Sequence, residues 1–282
     1  ADLMIRSSMM SPTILVLVVL LAELFHCSTC FHTSYRQARP ISCFKMSEGT
    51  SANAEQEEFI TILGLGSLLS ERSSRMTFPD LQNFRLGRVP NYRRVFGHPA
   101  SIFFQRGIAN QETLEMSSLS AEYVDGHAGF VCTIFEVPNN NMMEGGMPSK
   151  AYLEREEEFD IISVPYIDLE NGKERQGGVL CARYTDEGYT QRWGKERFEK
   201  QYGVYGIATI WGWKQDSGLL PCATYLRHCT LAAKSMGPAC SDSFLDETFL
   251  ADRTTTIRTY LASNPQIMTT EPPPELAVRY GG

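Results

Sequence analysis

Apolar positions in this chain gather in short runs more often than in long periodic stretches. Residues 59–63 form an apolar run stopped by Gly64, the pattern of a buried strand entering a turn. Residues 129–137, 159–169 and 179–184 alternate apolar with polar positions and carry β-branched and aromatic residues, which suits a half-buried pleated surface. Residues 204–213 and the triplet Ile102, Phe103, Phe104 within 89–104 bring the expected strands to about six. Helical spacing is expected over 150–158, 191–201, 223–236 and 244–262; in the third, Leu226, Cys229, Ala233 and Met236 form a core-facing stripe that Gly237 and Pro238 end. Strands crowded in the first two thirds and helices in the last third predict an α+β domain over 59–265 instead of a doubly wound sheet. The polar, aperiodic residues 47–58 read as a flexible arm, and the proline-rich residues 266–282 as a trailing tail.

The first 46 residues differ in composition from the rest and read as an address. Met4 and Arg6 precede an apolar run, 14–21, too short for a bilayer crossing of roughly 20 residues but suited to a signal-peptide core. The mature protein is therefore expected to have no membrane span. Ser28, Thr29 and Cys30 suit a peptidase site, which sets a signal peptide at 1–30; residues 31–46 open on Phe31 and carry Arg36, Arg39 and Lys45 without an acid. This arrangement resembles the two-part plastid presequences of algae with secondary red plastids, which implies a transit peptide at 31–46 and a plastid location. Secretion with a disordered propeptide is the alternative.

Without that leader the chain has 22 basic and 31 acidic residues. Such an excess of negative charge repels a phosphate backbone, so nucleic-acid binding is not expected. Cys132, Cys181, Cys222, Cys229 and Cys240 are odd in number and contain no CxxC, which suggests neither a disulfide framework nor a zinc site. His98, His127 and His228 lack metal-ligand spacing and are expected at the surface or hydrogen-bonded. Asp246, Asp252 and Arg253 are expected on a helix surface, and Trp211 and Trp213 in packing.

Two segments carry candidate chemistry. In Gly64, Leu65, Gly66, Ser67, Leu68 the glycines flank one residue directly after a strand, which lets the backbone turn sharply and present successive N–H groups to a carboxylate or a developing oxyanion. The segment is neither GxGxxG nor GxSxG, so a serine hydrolase using Ser67 is disfavoured. The second segment runs from Ser149, placed to cap a helix, into the acids Glu154, Glu156, Glu157 and Glu158. At about 100° per residue, Glu156 falls among Tyr152, Leu153 and Phe159 on the apolar side, Glu154 and Glu158 point away, and Glu157 is marginal. A carboxylate against aromatic walls has its pKa raised toward the range where one group can both take and give a proton.

A strand, then a G-Y-G-S-L loop, then about 90 residues later an acidic helix ahead of a strand, is the pattern of the γ-glutamylcyclotransferase-like proteins. The chain resembles them in Gly64 to Leu68, in Glu156 before 159–164, and in the helix that starts at Tyr225 and carries Ala233 and then Gly237. A plant and algal branch is resembled through 244–258. The resemblance implies a small mixed β-barrel with flanking helices and chemistry that needs no cofactor. It also implies a small γ-glutamyl substrate held by the loop, while one glutamate takes the α-amine proton, 5-oxoproline forms, and the same glutamate protonates the departing amine. Two features depart from the pattern: Leu65 replaces the usual tyrosine, and the spacing from Glu156 to Phe159 is one residue short, so an alternative alignment puts Glu157 in the catalytic position. A non-catalytic plastid binding or assembly protein that keeps the barrel is the alternative function. The oligomeric state is not legible in the sequence.

Overall fold

The computed structural model describes residues 59–139, 143–144 and 147–281, which belong to one compact unit; the expected signal peptide, transit peptide and arm lie outside them. The strands are β1 (Phe59–Gly64), β2 (Gln82–Val89), β3 (Tyr92–Pro99), β4 (Glu115–Tyr123), β5 (Phe130–Pro138), the short pair β6 (Met143–Glu144) and β7 (Met147–Pro148), β8 (Asp160–Asp168), β9 (Lys173–Ala182), β10 (Leu220–Pro221) and β11 (Thr248–Phe249). The helices are α1 (Glu71–Thr77), α2 (Ser101–Gln105), α3 (Lys150–Arg155), α4 (Asp186–Trp193), α5 (Lys195–Gln201), α6 (Ala223–Ser235), α7 (Pro238–Asp246), α8 (Ile257–Ser263) and α9 (Ala277–Tyr280).

Five strands close on themselves in the order β1-β5-β2-β8-β9. Neighbours are antiparallel except at the seam, where β1 runs parallel to β9 with Thr61 opposite Gly178 and Ile62 opposite Val179. This is the α+β mixed barrel the sequence resemblance implies, and closure leaves no free edge around the ring. Strands β4, β3 and β11 extend from β9 as a side sheet. Apolar residues from the barrel wall, α6, α7 and α8 form one core cluster; a second gathers Phe135, Phe159, Tyr189, Tyr202 and Trp211 beneath α4 and α5.

Several sequence expectations need correction. Ile102 to Phe104 lies in helix α2, with Phe103 buried and its neighbours half-buried, because a short apolar run fits either period. Residues 204–213 are not a strand: after a 3-10 turn, Gly206 takes φ 73° and the chain loops round the Asp186 carboxylate, which accepts the N–H groups of Ile210 and Trp211 at 2.9 and 2.8 Å. The helix expected over 191–201 starts earlier and breaks at Gly194, which has φ 84°. The helix expected over 244–262 is interrupted between α7 and α8 by β11 and a turn in which Asp252 accepts the N–H groups of Thr254 and Thr255.

Strands β2, β3 and β4 escape the apolar pattern because they carry charge inward and satisfy it there. Arg85 pairs with Glu136 and Asp168, and Glu122 accepts Arg93, Arg183 and Arg253 at 3.3, 3.2 and 2.7 Å. Arg94 is fully buried between the rings of Phe130 and Phe244, donating to the Val131 carbonyl and the Ser243 hydroxyl, and burial pulls its pKa down to about 10. The expected trailing tail is also corrected: two 3-10 turns and α9 pack back onto the domain, burying Ile267 and Tyr280, with the Tyr280 ring edge-on to Tyr225 and His228.

Candidate functional site

The glycine loop is set by crowding at both glycines. Gly64 closes β1, and a Cβ there would stand 2.4 Å from the Thr133 hydroxyl and 2.9 Å from the Leu68 carbonyl oxygen. At Gly66 a Cβ would stand 2.5 Å from the Tyr225 hydroxyl oxygen. Past Gly66 the chain enters a single 3-10 turn, Ser67–Leu69, closed by Leu69 N–H donating to Gly66 O at 2.9 Å. The Leu68 carbonyl accepts the hydroxyls of Thr133 and Ser74, which fix the loop to β5 and α1. The opening N–H groups of such a turn have no partner within it and are the donors it can offer a ligand. Leu65 turns into the core with Phe96 and Leu119, whereas Ser67 and Leu68 are half-exposed.

Tyr225, near the start of α6, was not singled out for the site by the sequence. Its hydroxyl lies against the loop, and burial raises its pKa well above the ordinary value while the nearby Ser67 backbone N–H favours the ionised form. A phenol is thus supplied to the loop from α6, where Leu65 supplies none. His228, one turn on, is buried with its pKa lowered to about 4 by desolvation and by Arg279. The Ser67 backbone oxygen pulls it back upward, although neither ring nitrogen makes a hydrogen bond of normal geometry.

Helix α3 begins at Ser149, whose hydroxyl accepts the Tyr152 N–H, and ends at Arg155. The three glutamates that follow are off the helix, so its wheel does not govern them. Glu156 (φ −109°, ψ 46°) has a side chain 24% exposed, and its carboxylate accepts Arg155 Nε at 3.3 Å. Desolvation raises its pKa; the cations Arg155 and Arg279 oppose the shift. Glu157, marginal on the wheel, is the most buried of the acids: Arg197 lies 2.6 Å from its carboxylate, the Tyr189 hydroxyl donates to it, and its carbonyl accepts the Trp193 indole. Glu158, expected to point away, is half-buried with its pKa pushed up to about 8 by burial and by Glu156 and Glu157; its carbonyl accepts the Trp211 indole. Glu154 is exposed, 3.9 Å from Lys150.

Leu65, Gly66, Ser67 and Leu68 share with Glu156 the wall of a cavity of about 130 Å³, completed by Thr77, Leu119, Phe159, Cys181, Tyr225 and Arg279. Gly64 is absent from that wall and acts behind it, through the turn. The cavity adjoins a wider one of about 510 Å³ that shares Thr77, Glu156 and Arg279 with it and adds Arg106, Arg197 and the other acids. Arg279 carried no signal in the sequence, because its segment read as a tail.

The remaining candidates divide. His98 is neither at the surface nor hydrogen-bonded: it stacks on Trp211 at 4.2 Å and meets Phe159 edge-on, with its pKa lowered to about 3 by burial and by Arg183. His127 accepts the Gly129 N–H. Asp246 pairs with Arg258, while Arg253 is drawn into the buried Glu122 cluster. Among the described residues the five cysteines are free, no group of three His, Cys, Asp or Glu side chains could hold a metal ion, and no helix is long and apolar enough to cross a membrane.

No protein-family model and no curated protein sequence matches the chain. Solved structures similar to it include an uncharacterized protein from Homo sapiens, 18% identical, covering 54% of this chain and 89% of its own, at a TM-score of 0.33. A gamma-glutamyl cyclotransferase is similar at 15% identity, 53% and 88% coverage and a TM-score of 0.33. A protein of Arabidopsis thaliana solved in solution is similar at 8% identity, 55% and 96% coverage and a TM-score of 0.32. These are likenesses at low identity, and the chemistry of the site rests on its own residues.

Proposed function

We propose that this chain is a γ-glutamylcyclotransferase-like enzyme that cyclises a γ-glutamyl amine or peptide to 5-oxoproline and releases the amine, with Glu156 as general acid and base. The observation that carries this reading is the cavity shared by Glu156 and the loop residues Leu65 to Leu68. Backbone donors of the loop bind the glutamyl portion from the cavity wall that they share with the Tyr225 side chain. Glu156 in its carboxylate form takes a proton from the substrate's α-ammonium group. The freed amine attacks the γ-carbonyl carbon and a five-membered ring closes; as the amide C–N bond breaks, the proton held on Glu156 passes to the departing nitrogen, and the second proton on the ring nitrogen is lost to water, which leaves 5-oxoproline, the free amine and the Glu156 carboxylate. One carboxyl with a pKa raised by burial serves both transfers, because it is neither too weak a base nor too weak an acid. Ring closure within one bound molecule needs only correct orientation, which contacts with the wall of the small cavity supply. Tyr225 assumes the part that a loop tyrosine would otherwise play.

The test is release of 5-oxoproline from γ-glutamyl dipeptides, glutathione and γ-glutamyl amines by the folded protein. Turnover of at least one, lost in Glu156→Gln, is expected; no turnover of any of them would sink the reading.

A further inference from the structure

Among the described residues, the wall of the cavity that Glu156 shares with the loop holds one cation, Arg279 of α9. Arg155, the ion-pair partner of Glu156 at 3.3 Å, lines the wider cavity and not this one, whereas Arg279 borders both. The place of Arg279 is set by the side chain next to it. Tyr280 is 3% exposed and rests edge-on against Tyr225 and His228 of α6, with ring centroids 6.4 and 5.7 Å apart, a favoured geometry for aromatic pairs. The segment before α9 is tied to the same helix, since Arg227 Nε donates to the Met268 carbonyl at 3.1 Å and Ile267 is buried. One turn of helix at the end of the chain is thereby docked across both halves of the site, with Tyr280 on the tyrosine that abuts the loop and Arg279 beside Glu156.

The Glu156 carboxylate is thus shared between a cation outside the loop cavity and one in its wall, and both favour its ionised form against burial. The other titratable groups that interact with it, Tyr152 of α3, Cys181 of β9 and Glu158, are held neutral near pH 7 by burial. Glu157 is paired with Arg197 of α5, and Arg106 of α2 lines only the wider cavity. His228, which also feels Arg279, is neutral above about pH 4. On the basis of the proposed function, we propose that α9 is part of the catalytic centre: Tyr280 seats it, and Arg279 is a positioning residue that turns the Glu156 carboxylate toward the substrate in the loop cavity. A carboxyl group that takes and returns a proton must stay within hydrogen-bond reach of the reacting nitrogen atoms, so its displacement toward Arg155 slows the chemical step more than it weakens binding.

The experiment measures kcat and KM against pH for a γ-glutamyl dipeptide in wild type, Arg279→Met, Arg279→Lys and Tyr280→Ala, with melting temperatures to show that each variant folds. Arg279→Met should lower kcat by about 10-fold on the plateau above the acidic limb, with KM little changed. It should also move that limb to higher pH, because a charge that favours ionised Glu156 is gone. Arg279→Lys keeps the charge, so the limb should stay near its wild-type position and part of kcat should return. Tyr280→Ala removes the seat of α9 and should reproduce the Arg279→Met shift. If Tyr280→Ala does not fold, Arg279→Met, a change at an exposed side chain, decides alone. A rise in KM with kcat and limb unchanged would make Arg279 a substrate-binding group and overturn the proposal, as would an unmoved limb in either folded variant. If wild type turns over no γ-glutamyl substrate the cyclotransferase reading fails by itself, and the place of Arg279 is decided by NMR titration of the Glu156 carboxyl carbon, assigned by its loss in Glu156→Gln. A midpoint higher in Arg279→Met than in wild type supports the placement; an unchanged midpoint overturns it.

Discussion

Three consecutive glutamates illustrate how little a side chain's identity says about its use. Glu156 borders the loop cavity, Glu157 is locked between Arg197 and Tyr189, and Glu158 is half-buried with a raised pKa. The helical wheel expected Glu156 to face inward and Glu158 to point away, but α3 ends at Arg155 and none of the three keeps its period. Substitution separates the roles. Glu156→Gln should lower turnover by a factor of about 10² or more with the melting temperature nearly unchanged. Glu157→Gln should instead cost about 3 kcal/mol of stability in denaturant titration, because it leaves Arg197 without its carboxylate. The pH profile offers a second test: a general base must be ionised, so kcat/KM rises as pH passes upward through the Glu156 pKa. Burial sets that limb above the ordinary carboxylate range, and Arg155 holds it down. Arg155→Met should move the limb to higher pH; a limb that stays in place would remove Glu156 from the role of base.

Elements whose apolar residues follow a clean period were legible, and those stabilised by buried polar contacts were not. Strands β1, β5 and β8 and helix α6 show the expected runs and stripe. The side-sheet strands β3 and β4 read as polar because their charges meet only across the fold, Arg93 with Glu122 in the neighbouring strand and Arg253 with Glu122 from 131 residues away. No local window contains such a partner. The glycine loop was legible as a turn, whereas its dependence on α6 was not. Gly66→Ala places a methyl group 2.5 Å from the Tyr225 oxygen and should destabilise the protein by about 1–3 kcal/mol, the usual cost of overpacking. Tyr225→Phe removes the clashing oxygen, so Gly66→Ala should cost clearly less in that background. A double-mutant cycle of melting temperatures measures the difference, and strict additivity would show that the loop and α6 are not coupled.

For the whole molecule, the second apolar cluster joins α4, α5, β8 and the 207–211 loop, and His98 of β3 packs on its Trp211 and Phe159, so pH acts on packing as well as on catalysis. His98 is held neutral, its folded pKa of about 3 lying below the ordinary value of about 6.5. The unfolded chain takes up that proton first, so stability from His98 is complete above pH of about 6.5 and is lost as pH falls toward 3. His228, at about 4, acts in the same sense over a narrower window. Glu158 acts in the opposite sense: its folded pKa of about 8 exceeds the unfolded one, so its contribution is complete at low pH and fades as pH rises from about 4.5 to 8. Between about 4.5 and 6.5 the two histidines oppose Glu158 and the likewise raised Glu156, and above about 6.5 the histidines no longer contribute to the slope while Glu158 does up to about 8. Stability measured by denaturant titration should therefore decline on the acidic side, toward pH 3, through the histidines and from about pH 6.5 toward 8 through Glu158. His98→Phe, which keeps an aromatic ring against Trp211, should shallow the acidic side, and Glu158→Gln should level the side toward pH 8. If neither substitution changes the slope on its own side, the stacking of His98 on Trp211 and the burial of Glu158 do not link protonation to folding.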